Sequence, residues 1–249
     1  MTSVAERAAE RRRAALVIGA SGGIGAALVQ ALQSGAAFGE EARFDTVIGI
    51  SRSSAVPIDY TQPATVEAAA QSVAASCEAA SADLRLIVVA SGFLHGPQGQ
   101  PERSWSHLEA EYLQHVFLIN AIGPALVMKH FLPLLPKQGR AVCGFISAKV
   151  GSIGDNALGG WYGYRASKAA LNQLVKTAAI ELTRRNRQAV CIALHPGTVA
   201  TELSEPFQKT GLNVRPAAEA AADLLHVLAG RSAHDSGGLF DYQGERLPF

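Results

Sequence analysis

Tyr164 and Lys168 stand four residues apart in the segment Trp161 to Ala170, which reads as the start of a long helix. Four residues is just over one helical turn, so both side chains leave the same face and can meet. A phenol is a poor acid at neutral pH, with a reference pKa of about 10. An ammonium beside it favours the phenolate and brings the proton closer to the working range of an acid–base catalyst. Upstream, Gly19-Ala20-Ser21-Gly22-Gly23-Ile24-Gly25 follows the apolar run Ala14 to Ile18. A strand feeding glycines that open a helix sets main-chain N–H groups and a positive dipole end against a pyrophosphate. Gly19 then permits the tight turn, Gly23 lets the backbone approach the phosphates, and Gly25 lets the helix pack close to the sheet. The spacing is GxxxGxG rather than GxGxxG. Dinucleotide and proton-transferring tyrosine together point to an oxidoreductase.

The second apolar run ends Ile50-Ser51-Arg52-Ser53, with no acidic residue to hold the ribose 2′-hydroxyl of NAD. Arg52 offers a cationic fork suited to a 2′-phosphate, with Ser51 and Ser53 as further donors. NADP(H) is therefore favoured over NAD(H), against the plainer reading of a solvated arginine after a strand. Asn120 is followed by Gly123 and Pro124. Proline lacks the N–H that would meet the Asn120 carbonyl, so a bend and a released carbonyl are expected, able to hold a water near Lys168. A mere kink is the alternative.

Short β-branched runs alternate with helical patterns along the chain. Strands are expected at 14–18, 46–50, 56–58, 84–89, 141–146, 190–194 and 238–242. Helices are expected at 24–34, 64–80, 104–135 with a break, 161–186 and 216–229. This alternation predicts an α/β fold: one doubly wound (Rossmann) domain, a parallel sheet of about seven strands with helices on both faces. No repeat or linker interrupts residues 1–249.

The chain carries 22 basic and 21 acidic residues, a net charge of +1, so neither nucleic acid nor an acidic membrane is expected as a partner. Cys77, Cys143 and Cys191 are widely spaced, which predicts buried free thiols and a cytoplasmic setting. No metal site is expected, because no histidine has a ligand-like spacing to another histidine or a carboxylate. Residues 1–13, rich in Ala, Arg and Glu, read as a frayed or helical extension rather than a secretory signal. The apolar stretch Phe117 to Pro136 is broken by Asn120, Gly123, Pro124, Lys129, His130 and Pro133, so it is not expected to span a membrane.

With the glycine loop, Asn120, the YxxxK pair and His195-Pro196-Gly197-Thr198-Val199-Ala200-Thr201 in this order, the chain resembles the short-chain dehydrogenase/reductase family from Leu16 to Phe249. It is most similar to the C-factor/sniffer-like branch of small carbonyl reductases. The stretches Gly151 to Asn156, Gly159 to Tyr162, Arg165 to Asn172 and Pro196 to Phe207 carry that closer likeness. The resemblance implies that Tyr164 exchanges a proton with a carbonyl or alcohol oxygen, and that Lys168 binds the nicotinamide ribose and stabilises the phenolate. It also implies that Pro196, Gly197, Thr198, Val199 and Thr201 hold the nicotinamide end, and that Asp59 and the adjoining Tyr60 contact the adenine. A homodimer or homotetramer follows by the same resemblance, paired through helices 104–135 and 161–186.

Two departures from the family pattern stand out. The usual Asn-Asn-Ala-Gly turn is Val89-Ala90-Ser91-Gly92, whose Ala90, Ser91 and Gly92 can still line the cofactor. The usual carbonyl-polarising serine slot is Ala148. Ser147 stands one position early and would face the other side of a regular strand, unless the backbone twists at the strand end. Ser147 is taken as the polarising residue, with Ser152 as its substitute. His95 either rims the pocket or sits in a loop, and His195 reads as structural. Glu202, Leu203, Pro206 and Phe207 suggest a small or open lid within Thr201 to Arg215. Two functions remain: an NADP(H)-dependent oxidoreductase of small carbonyls or alcohols, and a dinucleotide-binding signalling protein with little turnover.

Overall fold

The computed structural model describes residues 11–35, 43–207 and 214–249. Strand β1 (Arg12–Ile18) is followed by β2 (Thr46–Ile50), β3 (Ala82–Val89), β4 (Ala141–Ile146) and β5 (Ala189–His195). Two-residue strands β6 (Thr198–Val199) and β7 (Val214–Arg215) pair apart from the rest, and β8 (Leu239–Asp241) and β9 (Arg246–Leu247) complete the sheet. Its seven strands run β2-β1-β3-β4-β5-β8-β9, parallel except for β9.

Helices α1 (Gly23–Gln33), α2 (Pro63–Ala79), α3 (Ala110–Phe117), α4 (Gly123–Phe131), α5 (Tyr162–Arg185) and α6 (Ala217–Gly230) cover both faces. Side chains alternate across a strand, so β1 feeds two cores at once. Ala14, Leu16 and Ile18 pack with Val66 of α2, Phe131 of α4 and Val175 of α5. Ala15 and Val17 pack with Leu28 of α1 and Leu224 of α6. That double burial is why residues 14–18 read as an unbroken apolar run.

The chain steps from β1 out to β2 and then returns to the other side of β1 as β3. Ligands of such sheets bind at the carboxyl ends where the order reverses. Here those ends carry Gly19 and Ala90–Ser91, so the topology sets the glycine loop against the turn after β3.

Three expectations are corrected. Residues 56–58 form no strand: the Ile58 N–H returns to the Ser51 carbonyl at 3.1 Å instead of joining a ladder. Arg12 and Arg13 belong to β1, in register with Ala82 and Asp83, while Arg11 pairs with Glu78 and Asp83 at 3.1 and 3.0 Å. The rest of the expected extension, residues 1–10, lies outside the described residues. Residues 104–135 do not simply kink: a 3₁₀ turn at Trp105–His107 precedes α3, and a π turn over Leu118–Ile122 joins α3 to α4. The Gly123 N–H reaches back five residues to the Leu118 carbonyl, a wider turn that accommodates the missing N–H of Pro124.

The run Ala110–Leu134 is long and apolar enough to cross a membrane by length and composition, with mean hydropathy 1.4. In the fold Tyr112, Val116, Ala121, Val127 and Phe131 are buried, while Leu113, Phe117, Leu118 and Ile122 line an outer groove.

Candidate active site

A cavity of about 730 Å³ opens over the carboxyl ends of β1, β2 and β3. Gly19, Ser21, Gly22, Ser51, Arg52, Asp59, Tyr60, Ala90, Ser91 and Gly92 all line it. At one end lies the turn into α1. Gly19 has φ +87°, and a Cβ there would stand 2.7 Å from the Ser91 nitrogen. A Cβ at Gly25 would overlap the Gly19 carbonyl oxygen, so the first turn of α1 rests on the loop itself rather than on the sheet. The Cβ of any residue replacing Gly23 would strike the Thr201 side chain, 2.6 Å away. Gly23 therefore also meets the segment after β6, a contact beyond the expected approach to the phosphates. Among the described residues the N–H groups of Ser21, Gly23 and Ile24 have no protein acceptor, and Gly22 caps α1 without a side-chain bond. Unpaired donors at a helix N-terminus beside a cavity fit an anionic phosphate group.

At the other end, Arg52 is exposed and makes no hydrogen bond or ion pair among the described residues. Ser51 and Ser53 bond each other through their hydroxyls at 3.0 Å. Asp59 accepts the N–H and hydroxyl of Thr61 at 2.9 and 2.8 Å. Those bonds hold its carboxyl below the usual range, with a smaller contribution from the Arg52 charge. Tyr60 bonds Ser91 through its hydroxyl at 2.8 Å, and its ring lies against Gly123. Burial lifts this phenol to about 12. Ser91 thus ties the turn after β3 to the loop after β2.

Lys168 and Tyr164 lie beyond Gly92. They do not themselves line the cavity, but a Cβ at Gly92 would be 3.8 Å from Lys168 Nζ, and Leu94 and Leu203 touch both the cavity and the Tyr164 cluster. Helix α5 buries Tyr164, Ser167, Lys168, Leu171 and Asn172 along one face, as their spacing demands. Lys168 Nζ donates to the Ile146 carbonyl at 2.8 Å and sits 5.8 Å from the Tyr164 ring centre. Burial pushes this amine down to about 7 and lifts the Tyr164 phenol to about 12. The expected lowering of the phenol by its neighbour is outweighed by desolvation, which disfavours both charged forms. Among the described residues the Tyr164 hydroxyl makes no hydrogen bond.

Asn120 is fully buried, and its side chain makes three hydrogen bonds. Oδ1 accepts the Phe93 N–H at 2.8 Å, while Nδ2 donates to the Phe93 carbonyl at 2.8 Å and to Ser167 Oγ at 3.1 Å. Ser167 in turn donates to the Tyr164 carbonyl at 2.9 Å. The π turn therefore delivers one amide that clamps the loop after β3 to α5.

Ser147 is corrected. Its N–H still bonds the Leu194 carbonyl at 2.7 Å, so the strand pattern persists and no twist recovers the side chain. Its hydroxyl donates to Asn172 Oδ1 at 2.7 Å. The next residue, Ala148, packs with Tyr164, Leu94, Tyr112 and Val116. Ser152 is buried and accepts the Asp155 N–H at 3.1 Å. Of the nicotinamide-end residues, Thr201 reaches Gly23, whereas Thr198 and Val199 pair with Val214 and Arg215, and Gly197 faces Tyr242. Pro196 and these three do not line the cavity.

One residue at the site, Glu102, carried no sequence signal. Glu102 is buried, and both carboxylate oxygens accept the Gly163 N–H at 3.1 Å, while its carbonyl accepts the Trp161 N–H at 2.6 Å. Trp161 holds φ +53° ahead of α5, and its ring meets the edges of Tyr164 and Phe207. The glycines at 159 and 160, both at φ +65°, were the available hint of that left-handed entry. His95 rims the cavity, bonded to the Glu202 carbonyl at 3.0 Å and edge-on to Phe207. His195 is mostly buried, and burial pushes it down to about 4. The rest of the expected lid, residues 208–213, lies outside the described residues. Among those described, no three potential metal ligands cluster, and all three cysteines are buried free thiols.

The short chain dehydrogenase family profile matches residues 13–211. The chain belongs to the short-chain dehydrogenase family. Its relatives include C-signal of Myxococcus xanthus, 35% identical over 55% of this chain and 78% of that protein. An uncharacterized oxidoreductase of Schizosaccharomyces pombe is 28% identical over 78% of this chain and 77% of its own length. Among solved structures, NADPH-bound carbonyl reductase from chicken fatty liver superposes with TM-score 0.80 at 25% identity, covering 96% and 95% of the two chains. Carbonyl reductase Sniffer of D. melanogaster shares the fold, with TM-score 0.77 at 21% identity over 96% and 100%.

Proposed function

We propose that this short-chain dehydrogenase is an NADP(H)-dependent oxidoreductase of small carbonyls or alcohols, with Tyr164 as its general acid and base. The observation that carries the reading is the Tyr164 hydroxyl: buried, without a hydrogen-bond partner among the described residues, and one helical turn from Lys168 beside the cavity. The donor set fits a dinucleotide. The N–H groups of Ser21, Gly23 and Ile24 suit a pyrophosphate, Arg52 a 2′-phosphate, Asp59 the adenine end and Lys168 a ribose. When bound, a nicotinamide supplies or accepts the hydride. The chicken carbonyl reductase holds NADPH, which supports the phosphorylated dinucleotide here.

Burial keeps Tyr164 protonated at neutral pH, the form that donates during reduction. As its proton leaves, the phenolate attracts the proton on Lys168, so the two groups titrate as a pair. Asn120 fixes where Phe93 and α5 stand relative to each other, which sets the edge of the substrate space. Buried reduced thiols fit a reducing, cytoplasmic setting.

Replacing Tyr164 with Phe keeps the ring and removes the acid. Turnover should fall by at least roughly 10²-fold while NADPH affinity is retained. A Tyr164→Phe protein with full turnover would instead favour the second reading, a dinucleotide-binding signalling protein. The C-signal likeness and the methyl of Ala148 in the Tyr164 cluster are what favour that alternative.

A further inference from the structure

The cluster around Tyr164 contains Leu94, Val116, Ala148, Trp161, Phe207 and Tyr112. Two hydroxyls stand in it. Tyr112 gives its proton to the Leu94 carbonyl at 2.8 Å, so Tyr164 alone has an O–H to offer. The chain leaving β4 decides what else meets the phenol. Ser147 keeps the strand alternation and gives its single proton to Asn172. Ala148, extended at φ −152° and ψ 147°, then turns a methyl group into the cluster.

We propose that Ala148 sets the substrate class of this site: carbonyls that are already electron-poor, carried on apolar or aromatic bodies. This rests on the oxidoreductase reading above. Reduction places negative charge on the substrate oxygen, and each positioned donor in a dry site accelerates such a step by roughly 10²–10³-fold. With one hydroxyl donor, an electron-withdrawing neighbour on the substrate must do the work of the second. Tyr164 gives its proton to the oxygen as the hydride pair of the reduced dinucleotide forms the new C–H bond and displaces the C=O π electrons. The carbonyl becomes CH–OH, the dinucleotide is oxidised, and the phenolate regains its proton from solvent. The ring edges of Trp161 and Phe207, with His95 on the rim, give a wall for a planar apolar body.

The test uses the full chain with NADPH, a series of para-substituted benzaldehydes, and acetophenone against trifluoroacetophenone. Wild type should show kcat/KM rising steeply with electron withdrawal. Ala148→Ser should raise kcat/KM for acetophenone by about 10²-fold, change the electron-poor members by less than about threefold, and so flatten the series. NADPH affinity and melting temperature, read alongside, should stay near wild type. A wild-type series that is already flat overturns the proposal while leaving the oxidoreductase reading intact. So does an Ala148→Ser protein that folds, binds NADPH and keeps the wild-type slope. Ser152 still has its own proton, and a Ser152→Ala loss of about 10²-fold on every member would assign it the second donor and also overturn the proposal. Failure of both proteins to reduce any member, trifluoroacetophenone included, sinks the reading together with the proposal.

Discussion

The burial of Lys168 has a measurable consequence for stability. The residue is 2% exposed, its amine bonds the Ile146 carbonyl, and burial pushes that amine down to about 7 from the ordinary 10.5. Between those two values the unfolded chain binds a proton that the folded chain does not. Stability must then rise with pH across roughly 7 to 10.5: the cost of a buried charge is fully present below 7 and gone above 10.5. The slope from this one group is at most about 1.4 kcal/mol per pH unit. Other buried groups tilt the curve the opposite way. The thiols of Cys143 and Cys191 and the phenols of Tyr60 and Tyr164 are all raised, so each loses stability as pH climbs past its unfolded value. The difference between wild type and Lys168→Met isolates the lysine. Urea denaturation of the cofactor-free protein at pH 7.5 and 9 should show wild type gaining up to about 2 kcal/mol relative to Lys168→Met. Parallel stability–pH curves for the two proteins would refute the burial argument. The same shift predicts that binding an anionic dinucleotide at pH 8 takes up protons, visible as a buffer-dependent binding enthalpy in wild type and absent in the variant.

Arg52→Ala should weaken NADPH binding by about 1.5–3 kcal/mol and spare NADH, as titration by fluorescence will show; equal losses for both would place Arg52 elsewhere. Glu102→Ala leaves the Gly163 N–H buried without an acceptor and should cost about 1–3 kcal/mol in chemical denaturation, whereas Glu102→Gln keeps an acceptor oxygen and should cost less. The outer groove of Leu113, Phe117, Leu118 and Ile122 should bind another copy of the chain. Light scattering should then give a dimer or tetramer at micromolar concentration that Ile122→Glu dissociates, and a monomeric wild type would end that expectation.

The fold was legible because β1, β4 and β5 are buried on both faces and so appear as uninterrupted apolar runs between glycine and helical punctuation. Residues 56–58 look equally β-like in isolation, but a strand needs a neighbour, and Ile58 finds only the Ser51 carbonyl. The glycine loop was legible in position and only partly in role. Gly19 makes the expected turn, while Gly23 and Gly25 answer to Thr201 and to the Gly19 carbonyl, contacts made by chain far from the motif or folded back upon it. Arg11 to Arg13 looked like a polar extension because their acidic and backbone partners lie at least about 30 residues away in the sequence.

The active site shows the same division between local pattern and distant partner. Tyr164 and Lys168 are set by helical spacing, so their meeting on one face followed from counting. Their charge balance did not, because burial depends on what covers α5: the turn at Gly151, the end of β4 and the loop holding Glu102. Asn120 was legible as a break in a helix, yet its side chain bonds Phe93, 27 residues earlier, a partner that no local pattern names. The serine question turned on one backbone bond. Had Ser147 lost its hold on the Leu194 carbonyl, the strand could have twisted and offered its hydroxyl to Tyr164. Because that bond is kept, alternation wins, Asn172 takes the hydroxyl, and the methyl of Ala148 joins the apolar cluster that holds Tyr164.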